Sequence, residues 1–178
     1  MALDDLNRAA AAADAQRHDS ALFQSLLYCC GSRAWVSKLL QRFPFADFDA
    51  LCRASDEVEK ELSREDWLEA FGAHPRIGRA KQPIKEWEAQ EQKATKNAAE
   101  AVLDRLEELN NQYYETFGYI YIVCATGKSA EEMLQILESR VGNNSDDELK
   151  IAAAEQSKIT KLRLEKLLVQ ATKHPSRL

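Results

Sequence analysis

Tyr119-Ile-Tyr-Ile-Val-Cys-Ala125 is the one strongly β-prone segment of this sequence of 178 residues, because aromatic and β-branched side chains dominate it. A single strand cannot form a sheet, since a strand pairs its backbone with a neighbouring strand. We therefore expect this segment to be extended and packed inside a helical domain. The sequence predicts an all-α fold: a single compact multi-helix domain over residues 1–178 with one short buried extended segment.

Helical patterns fill the chain on both sides of this segment. Lys85–Phe117 predicts a long helix, and Gly118 is expected to close it as a C-cap. A serine followed three residues later by an acidic residue marks three further helix starts, at Ser63 with Asp66, Ser129 with Glu132, and Ser145 with Glu148. These three helices are expected to end near Gly72, at Gly142 and at about Thr172. Helical spacing predicts four more segments: Leu3–Ala15, Leu22–Cys30, Trp35–Leu40 and Phe48–Leu62.

The composition is that of a globular protein, with 24 Lys and Arg against 29 Asp and Glu and a net charge of -5. This balance gives no long-range attraction to nucleic acid or to an anionic membrane. No stretch approaches the roughly 18 apolar residues that a membrane-spanning helix requires. We therefore expect neither nucleic acid nor membrane as a partner.

The two ends of the chain bear on its location. The N-terminal segment lacks the basic and continuous apolar regions of a secretory signal. The C-terminal Ser176-Arg177-Leu178 resembles the Ser-Lys-Leu type of peroxisomal address. The expected location is the cytoplasm, or the peroxisome if the protein is eukaryotic.

Motifs for metal and cofactor binding are absent from the sequence. The four cysteines form no Cys-x-x-Cys pair and the three histidines are scattered, so we predict no metal site and expect structural thiols in a reducing compartment. The dinucleotide fingerprint, the phosphate loop, the Gly-x-Ser-x-Gly elbow and the His-Glu-x-x-His motif are missing too. Cys124 could act as a nucleophile with His74 as its base, but its apolar neighbours favour an inert buried thiol.

Two charged residues fall on apolar faces of predicted helices. Glu91 lies four residues after Trp87 and three before Ala94, and Arg163 lies four residues after an isoleucine and four before a leucine. Burying a lone charge is costly, so such residues usually meet an opposite charge or a ligand. From spacing alone, Glu91 and Arg163 form an internal ion pair, extend to water at the helix edges, or bind a ligand.

His74 is the third candidate. It follows the predicted helix end at Gly72, and Pro75 disfavours helical backbone geometry at His74. A histidine on a stiffened loop suits proton transfer near neutral pH, although a lone histidine is more often structural. The residues by themselves thus indicate a His, a Glu and an Arg that could converge on one site.

Short sequence blocks along most of the chain follow the order of a known family. They are Cys29-Cys30-Gly31-Ser32 with Trp35, Arg42-Phe-Pro-Phe45, His74-Pro75-Arg76-Ile77-Gly78, Trp87 with Glu91-Gln92, Phe117-Gly118, Ile122-Val123-Cys124-Ala125, Gly127-Lys128-Ser129 and Ile159-Thr-Lys-Leu-Arg163-Leu164. Together they resemble the 2-oxo-4-hydroxy-4-carboxy-5-ureidoimidazoline (OHCU) decarboxylases. The block around His74 is the most diagnostic.

The resemblance implies which residues act. The family uses the His of His-Pro, the Glu of Glu-Gln and the Arg of Leu-Arg-Leu, which are His74, Glu91 and Arg163 in this sequence. It implies a substrate pocket lined by Pro75, Glu88, Gln92 and the backbone of Ile122, Val123, Cys124, Ala125 and Thr126. Glu88 replaces a serine of the family, so its longer anionic side chain either changes the contacts to the ureido arm of the substrate or turns outward.

The resemblance also implies the reaction. It is the decarboxylation of OHCU to S-allantoin and CO₂, the last step of urate conversion to allantoin in purine metabolism, by a homodimeric carboxy-lyase without a cofactor. The ring C=N of this small-molecule substrate accepts the electron pair that CO₂ leaves behind, so the substrate is its own electron sink. Two alternatives stay open: a non-catalytic helical binding module of the same fold, and a hydrolase that acts on a neighbouring ureide.

Overall fold

The computed structural model describes residues 2–12, 20–77 and 100–173. Within these ranges the chain forms eight helices and no strand. The helices are α1 Ala2–Ala12, α2 Ala21–Cys29, α3 Arg33–Leu40, α4 Phe48–Glu59, α5 Arg64–Gly72, α6 Glu100–Phe117, α7 Ala130–Arg140 and α8 Ser145–Lys173. The predicted all-α class is confirmed, and no helix in the described ranges is long and apolar enough to cross a membrane.

Side-chain caps fix two of the predicted helix starts. At α5, the Asp66 N–H donates to Ser63 Oγ at 3.2 Å and the Ser63 N–H donates to Asp66 Oδ2 at 3.0 Å. At α7, the Glu132 N–H donates to Ser129 Oγ at 3.1 Å. Each cap accepts a hydrogen bond from a backbone N–H that has no partner within the helix. Such a cap stabilises the helix by about 1 kcal/mol. Both predicted starts are confirmed.

The start of α8 differs in its chemistry. The helix begins at Ser145 as predicted, but the cap is Asn144, whose Oδ1 accepts the Asp147 N–H at 2.9 Å. Asparagine caps a helix as well as serine does. Glu148, predicted as the second half of the start signal, is fully buried and does not cap the helix, because other side chains engage its carboxylate.

Two predicted helix ends move by a few residues. The helix predicted over Phe48–Leu62 ends at Glu59, and the one predicted to stop at Gly142 ends at Arg140. After Glu59, the N–H groups of Glu61 and Leu62 donate to carbonyls only three residues back, and after Arg140 the Asn143 N–H does the same. Such three-residue bonds form a tighter turn than the α-helix. The other described boundaries lie within two residues of their predicted positions. The boundaries predicted at Ala15 and Lys85 lie outside the described residues.

The segment after α6 behaves as predicted. Gly118 has a φ of +83° and its N–H donates to the Tyr114 carbonyl at 2.8 Å, so it is the C-cap of α6. The following residues 119–125 lie outside any helix and are buried apart from a half-buried Ile120. The tyrosines of this segment pack their rings against aromatic residues of α6.

The chain divides into two compact units. The first unit comprises Met1–Ala70 with Ser157–Leu178, and the second unit comprises Phe71–Gln156. In the first unit α1 packs on α2, α2 on α3 and α3 on α4, around side chains such as the fully buried Trp35. In the second unit α6 packs on α7. The single domain expected over residues 1–178 stays a prediction.

Candidate functional site

His74 lies just after α5, on the loop where the sequence places it. The backbone N–H of His74 donates to the Phe71 carbonyl at 3.1 Å, so the chain makes one further turn after the helix. The half-buried imidazole places Nε2 2.5 Å from Oε1 of Gln156, a fully buried residue of α8. Both residues belong to the second unit. A buried amide therefore holds one nitrogen of the candidate acid/base.

The residues after His74 are anchored on α6. Arg76 donates from Nη1 to Asn111 Oδ1 at 2.5 Å, and its guanidinium lies 5.5 Å from the centre of the Tyr114 ring. The Ile77 carbonyl accepts from Nδ2 of the buried Asn110 at 3.1 Å. These contacts fix the path of the chain that carries His74. Pro75, a predicted pocket residue, is exposed next to them.

The segment predicted to line the pocket with its backbone is held by charged side chains of the second unit. The Ile122 carbonyl accepts from Arg140 Nη1 at 2.7 Å, and the Cys124 carbonyl accepts from Lys128 Nζ at 2.7 Å. The Cys124 N–H donates to Oε1 of the buried Glu155 at 3.3 Å. These bonds fix the backbone on which Val123, Ala125 and Thr126 are placed. Binding of substrate by Ile122 to Thr126 remains a prediction.

A buried ion pair, which was not predicted from the sequence, supports this backbone. Arg140 is 5% exposed and Glu148 is 0% exposed, with Arg140 Nε 2.6 Å from Glu148 Oε1. The Tyr113 hydroxyl donates to the same carboxylate oxygen at 2.7 Å, and the guanidinium lies 5.0 Å from the centre of the Tyr121 ring. A signal existed: Arg140 follows Met133 and Leu137 at the helical spacing that singled out Arg163.

The pKa values in this cluster follow from burial and from the charge pair. Burial lowers the pKa of Arg140, but the hydrogen bond and the charge of Glu148 outweigh it and raise the pKa overall. Burial and the hydrogen bond to Glu148 both raise the pKa of Tyr113. Burial raises the pKa of Tyr121. The cluster thus keeps a charged Arg140 and neutral phenols, which suits a fixed support better than proton transfer.

Arg163 is buried in the first unit, as its helical spacing predicts. It is 5% exposed, with Ile159 and Leu167 buried on the same face of α8. Its Nη1 donates to the Tyr28 carbonyl at 3.0 Å, and its guanidinium lies 5.7 Å from the centre of the Tyr28 ring. Tyr28 lies near the end of α2, where helix carbonyls need donors from outside the helix. Arg163 therefore satisfies a helix end while Tyr28 orients its guanidinium.

Cys30 and Cys124, which lie in family-like blocks, are both buried. Burial raises the pKa of the Cys30 thiol to about 12, although a hydrogen bond with the Ser32 backbone and the charge of Arg163 oppose the rise. A thiol with such a pKa is a poor nucleophile near neutral pH. Cys124, the alternative nucleophile, is 7% exposed. This burial favours the inert-thiol reading of Cys124.

Other predicted site residues lie outside the described ranges. Glu88, Glu91 and Gln92 are among them, as is the tail Ser176-Arg177-Leu178. His74 lies in the second unit and Arg163 in the first, and each is described within its own unit. Convergence of His74, Glu91 and Arg163 is therefore still a prediction. Within residues 2–12, 20–77 and 100–173, no cluster of His, Cys, Asp and Glu could hold a metal ion.

Comparison with known proteins gives a consistent result. Residues 15–165 match the family model described as OHCU decarboxylase. The chain is 36% identical over 151 residues to the uric acid degradation bifunctional protein TTL of Arabidopsis thaliana, which covers 82% of this chain and 47% of that protein. This chain therefore spans about half the length of that relative.

Two further relatives correspond over more of their own length. The chain is 31% identical over 144 residues to the 2-oxo-4-hydroxy-4-carboxy-5-ureidoimidazoline decarboxylase of Halalkalicoccus jeotgali, covering 76% of this chain and 78% of that one. A solved structure of an OHCU decarboxylase in the presence of (S)-allantoin shares 34% identity and a TM-score of 0.72. The match covers 80% of this chain and 96% of the solved one. The predicted family resemblance is confirmed.

Proposed function

Because this chain belongs to the OHCU decarboxylase family, we propose that it converts OHCU to S-allantoin and CO₂ without a cofactor, within the breakdown of urate. The observation that carries the proposal is the family match over residues 15–165, which includes the His-Pro block and Arg163. The chain covers only 47% of its bifunctional Arabidopsis relative. That this chain has decarboxylase activity by itself is therefore part of the proposal.

The chemistry of the substrate sets what the protein has to supply. One ring carbon of OHCU bears both a hydroxyl and a carboxylate, and a C=N lies beside it. When the C–CO₂ bond breaks, its electron pair moves into the C=N, and a proton must then reach carbon to give allantoin. The enzyme has to orient the ring and to control on which face that proton arrives.

His74 is proposed as the acid/base. It engages the ring hydroxyl and delivers a proton to one face of the ring, which sets the S configuration. Two features of the second unit support this role: the short contact of Nε2 with Gln156, and the anchoring of the following residues on α6. A histidine held at a defined angle can transfer a proton to one face and not to the other.

Glu91 and Arg163 are proposed to bind the polar groups of the substrate. Arg163 would neutralise a substrate oxygen anion through its planar fork of donors, one of which already lies on the Tyr28 carbonyl. Glu91 would orient the substrate or His74 by hydrogen bonds. Pro75, Glu88, Gln92 and the backbone of residues 122–126 would line the pocket around them.

Product analysis separates this function from its alternatives. With freshly generated OHCU, the decarboxylase releases CO₂ faster than the spontaneous reaction and gives one enantiomer of allantoin. A hydrolase acting on a neighbouring ureide releases ammonia or urea instead. A non-catalytic binding module binds an allantoin-like ligand without any rate enhancement. Release of CO₂ only at the spontaneous rate would contradict the proposal.

Assembly and location are proposed from the resemblance and from the tail. We propose a homodimer, which sedimentation equilibrium tests by the molar mass in solution. If the protein is eukaryotic, the tail Ser176-Arg177-Leu178 is proposed to direct it to the peroxisome, and otherwise it remains in the cytoplasm. Masking the tail should then abolish peroxisomal localisation, and unchanged localisation would contradict the address.

A further inference from the structure

We propose that Gln156 is a positioning residue that fixes the orientation and the tautomer of the His74 ring. The two side chains come from positions 82 residues apart in the sequence, and they meet with His74 Nε2 2.5 Å from Gln156 Oε1. Both lie in the second unit. The kinetic part of this inference rests on the proposed function, whereas the part about the imidazole itself does not.

The burial of Gln156 indicates that its amide has a specific task. Gln156 is 0% exposed on α8, four residues after the equally buried Ala152. A buried amide without hydrogen bonds would destabilise the fold, so buried polar groups are nearly always paired. An apolar residue would suit such a position better if packing alone mattered. The contact with His74 supplies a reason for a polar residue there.

The choice of an amide has a consequence for proton transfer. With Oε1 of Gln156 as the acceptor, the ring proton sits on Nε2, which makes Nδ1 the basic nitrogen of the neutral ring. A carboxylate at this place would favour the charged imidazolium form of the ring. The neutral amide orients the ring and favours that charged form much less. The ring can then both take up and release a proton within one turnover.

The neighbouring residue supports this division of roles. Glu155 is also buried, and its carboxylate accepts the Cys124 N–H, so the charged group of this pair holds backbone. The neutral group, Gln156, faces the imidazole. Exchanging the carboxylate and the amide would place a negative charge beside His74. The Gln156→Glu variant places such a charge there by a single substitution and leaves Glu155 unchanged.

Nitrogen NMR of the histidine rings tests the inference without any activity assay. The chain has three histidines, so the signals of His74 can be assigned by comparison with His74→Ala. In the unaltered protein we expect the neutral His74 ring to carry its proton on Nε2. A ring that carries its proton mainly on Nδ1, or an equal mixture of the two tautomers, would overturn the proposal.

Two variants extend the test, with Gln112→Leu as the matched control because Gln112 is exposed on α6. Gln156→Glu should raise the titration midpoint of His74 by about one pH unit, since an opposite charge lies within hydrogen-bonding distance. Gln156→Leu should leave the neutral ring as a mixture of tautomers. Gln112→Leu should change neither. An unchanged midpoint in Gln156→Glu would overturn the proposal even if Gln156→Leu failed to fold.

Kinetics then connect the ring to turnover. Gln156→Leu should lower kcat for OHCU by at least tenfold while KM changes less than threefold, because orientation of the acid/base matters more in the transition state than in binding. Gln112→Leu should keep the kcat of the unaltered protein. A wild-type kcat in folded Gln156→Leu would overturn the role in turnover. If the unaltered protein showed no decarboxylation at all, the proposed function would fail, and the NMR result would still decide the role of Gln156.

Discussion

Arg140 and Arg163 are equally buried, each 5% exposed, but their contacts differ. The guanidinium of Arg140 meets the carboxylate of Glu148, within the second unit. The guanidinium of Arg163 meets the carbonyl and the ring of Tyr28, which carry no formal charge, within the first unit. Burial alone therefore does not distinguish an arginine that supports the fold from one that is proposed to bind substrate. The comparison predicts that changes at Arg140 mainly lower the free energy of unfolding. Changes at Arg163 are predicted mainly to lower the rate of turnover.

The largest effect is expected from Arg140→Leu. Removing one partner of a buried ion pair leaves Glu148 charged and buried, which should lower the free energy of unfolding by about 3–5 kcal/mol. Urea unfolding followed by helical circular dichroism measures this loss. The double variant Arg140→Leu, Glu148→Leu should recover part of it, because no lone charge is then left in the core. A loss below about 1 kcal/mol for Arg140→Leu would mean that the pair does not support the fold.

The next effect concerns turnover. Arg163→Lys and Glu91→Gln should each slow the decarboxylation of OHCU at least tenfold, which corresponds to about 1.4 kcal/mol or more in the barrier. Lysine keeps the charge of Arg163 but cannot make a planar two-point contact with an anion. Rates are measured on variants whose urea midpoints are checked in parallel. Equal losses of stability in both variants with unchanged rates would favour a structural ion pair between Glu91 and Arg163.

A third effect concerns pH and a carboxyl group of the first unit. Burial raises the pKa of Glu59 to about 7, with hydrogen bonds from Ser157 and Ser55 opposing the rise. The folded protein thus binds more protons than the unfolded chain above pH 4.5, the ordinary pKa of this group. Stability from this group is therefore complete below about pH 4.5 and is lost as the pH rises through about 7.

Glu59→Gln removes this pH dependence. At pH 8 the variant should be about 1 kcal/mol more stable than the unaltered protein, because the cost of a partly buried charge is gone. At pH 4 the two should be equally stable. Urea unfolding at both pH values measures the difference. A variant that is less stable at pH 8 would contradict this expectation. It would show that neighbouring groups offset the cost of burying the Glu59 charge, as Arg140 does for Glu148.

The smallest effect is expected at an exposed ion pair. Arg42 Nη1 lies 2.7 Å from Glu57 Oε2, but the side chains are 34% and 62% exposed. Water screens such a pair, so Glu57→Gln should change the free energy of unfolding by less than about 1 kcal/mol. Urea unfolding again gives the value. A loss as large as that of Arg140→Leu would remove the distinction between buried and exposed pairs on which the comparison depends.

Local signals explain why much of the fold could be predicted from the sequence. Ser63 with Asp66 and Ser129 with Glu132 cap helices through bonds between residues close in the chain, and such bonds depend little on the rest of the fold. Gly118 closes α6 for the same reason. The burial of Arg163 followed from helical spacing as well.

Tertiary pairing explains what the sequence did not reveal. Glu148 matched a helix start signal, but Arg140 and Tyr113 engage its carboxylate, and Tyr113 is 35 residues away in the sequence. Gln156 carries no charge, so its place on a buried helix face did not stand out as that of Arg163 did. Its contact with His74 joins two distant parts of the chain, and no spacing within one helix indicates such a contact.

The rate at which optically active allantoin forms from freshly generated OHCU tests the central claim most directly. Circular dichroism follows the chiral product for the unaltered protein, for His74→Ala and for the spontaneous reaction, with helical circular dichroism as the check on folding. We predict that the unaltered protein accelerates the signal, and that folded His74→Ala falls to the spontaneous rate. A folded His74→Ala that keeps the rate of the unaltered protein would contradict the account.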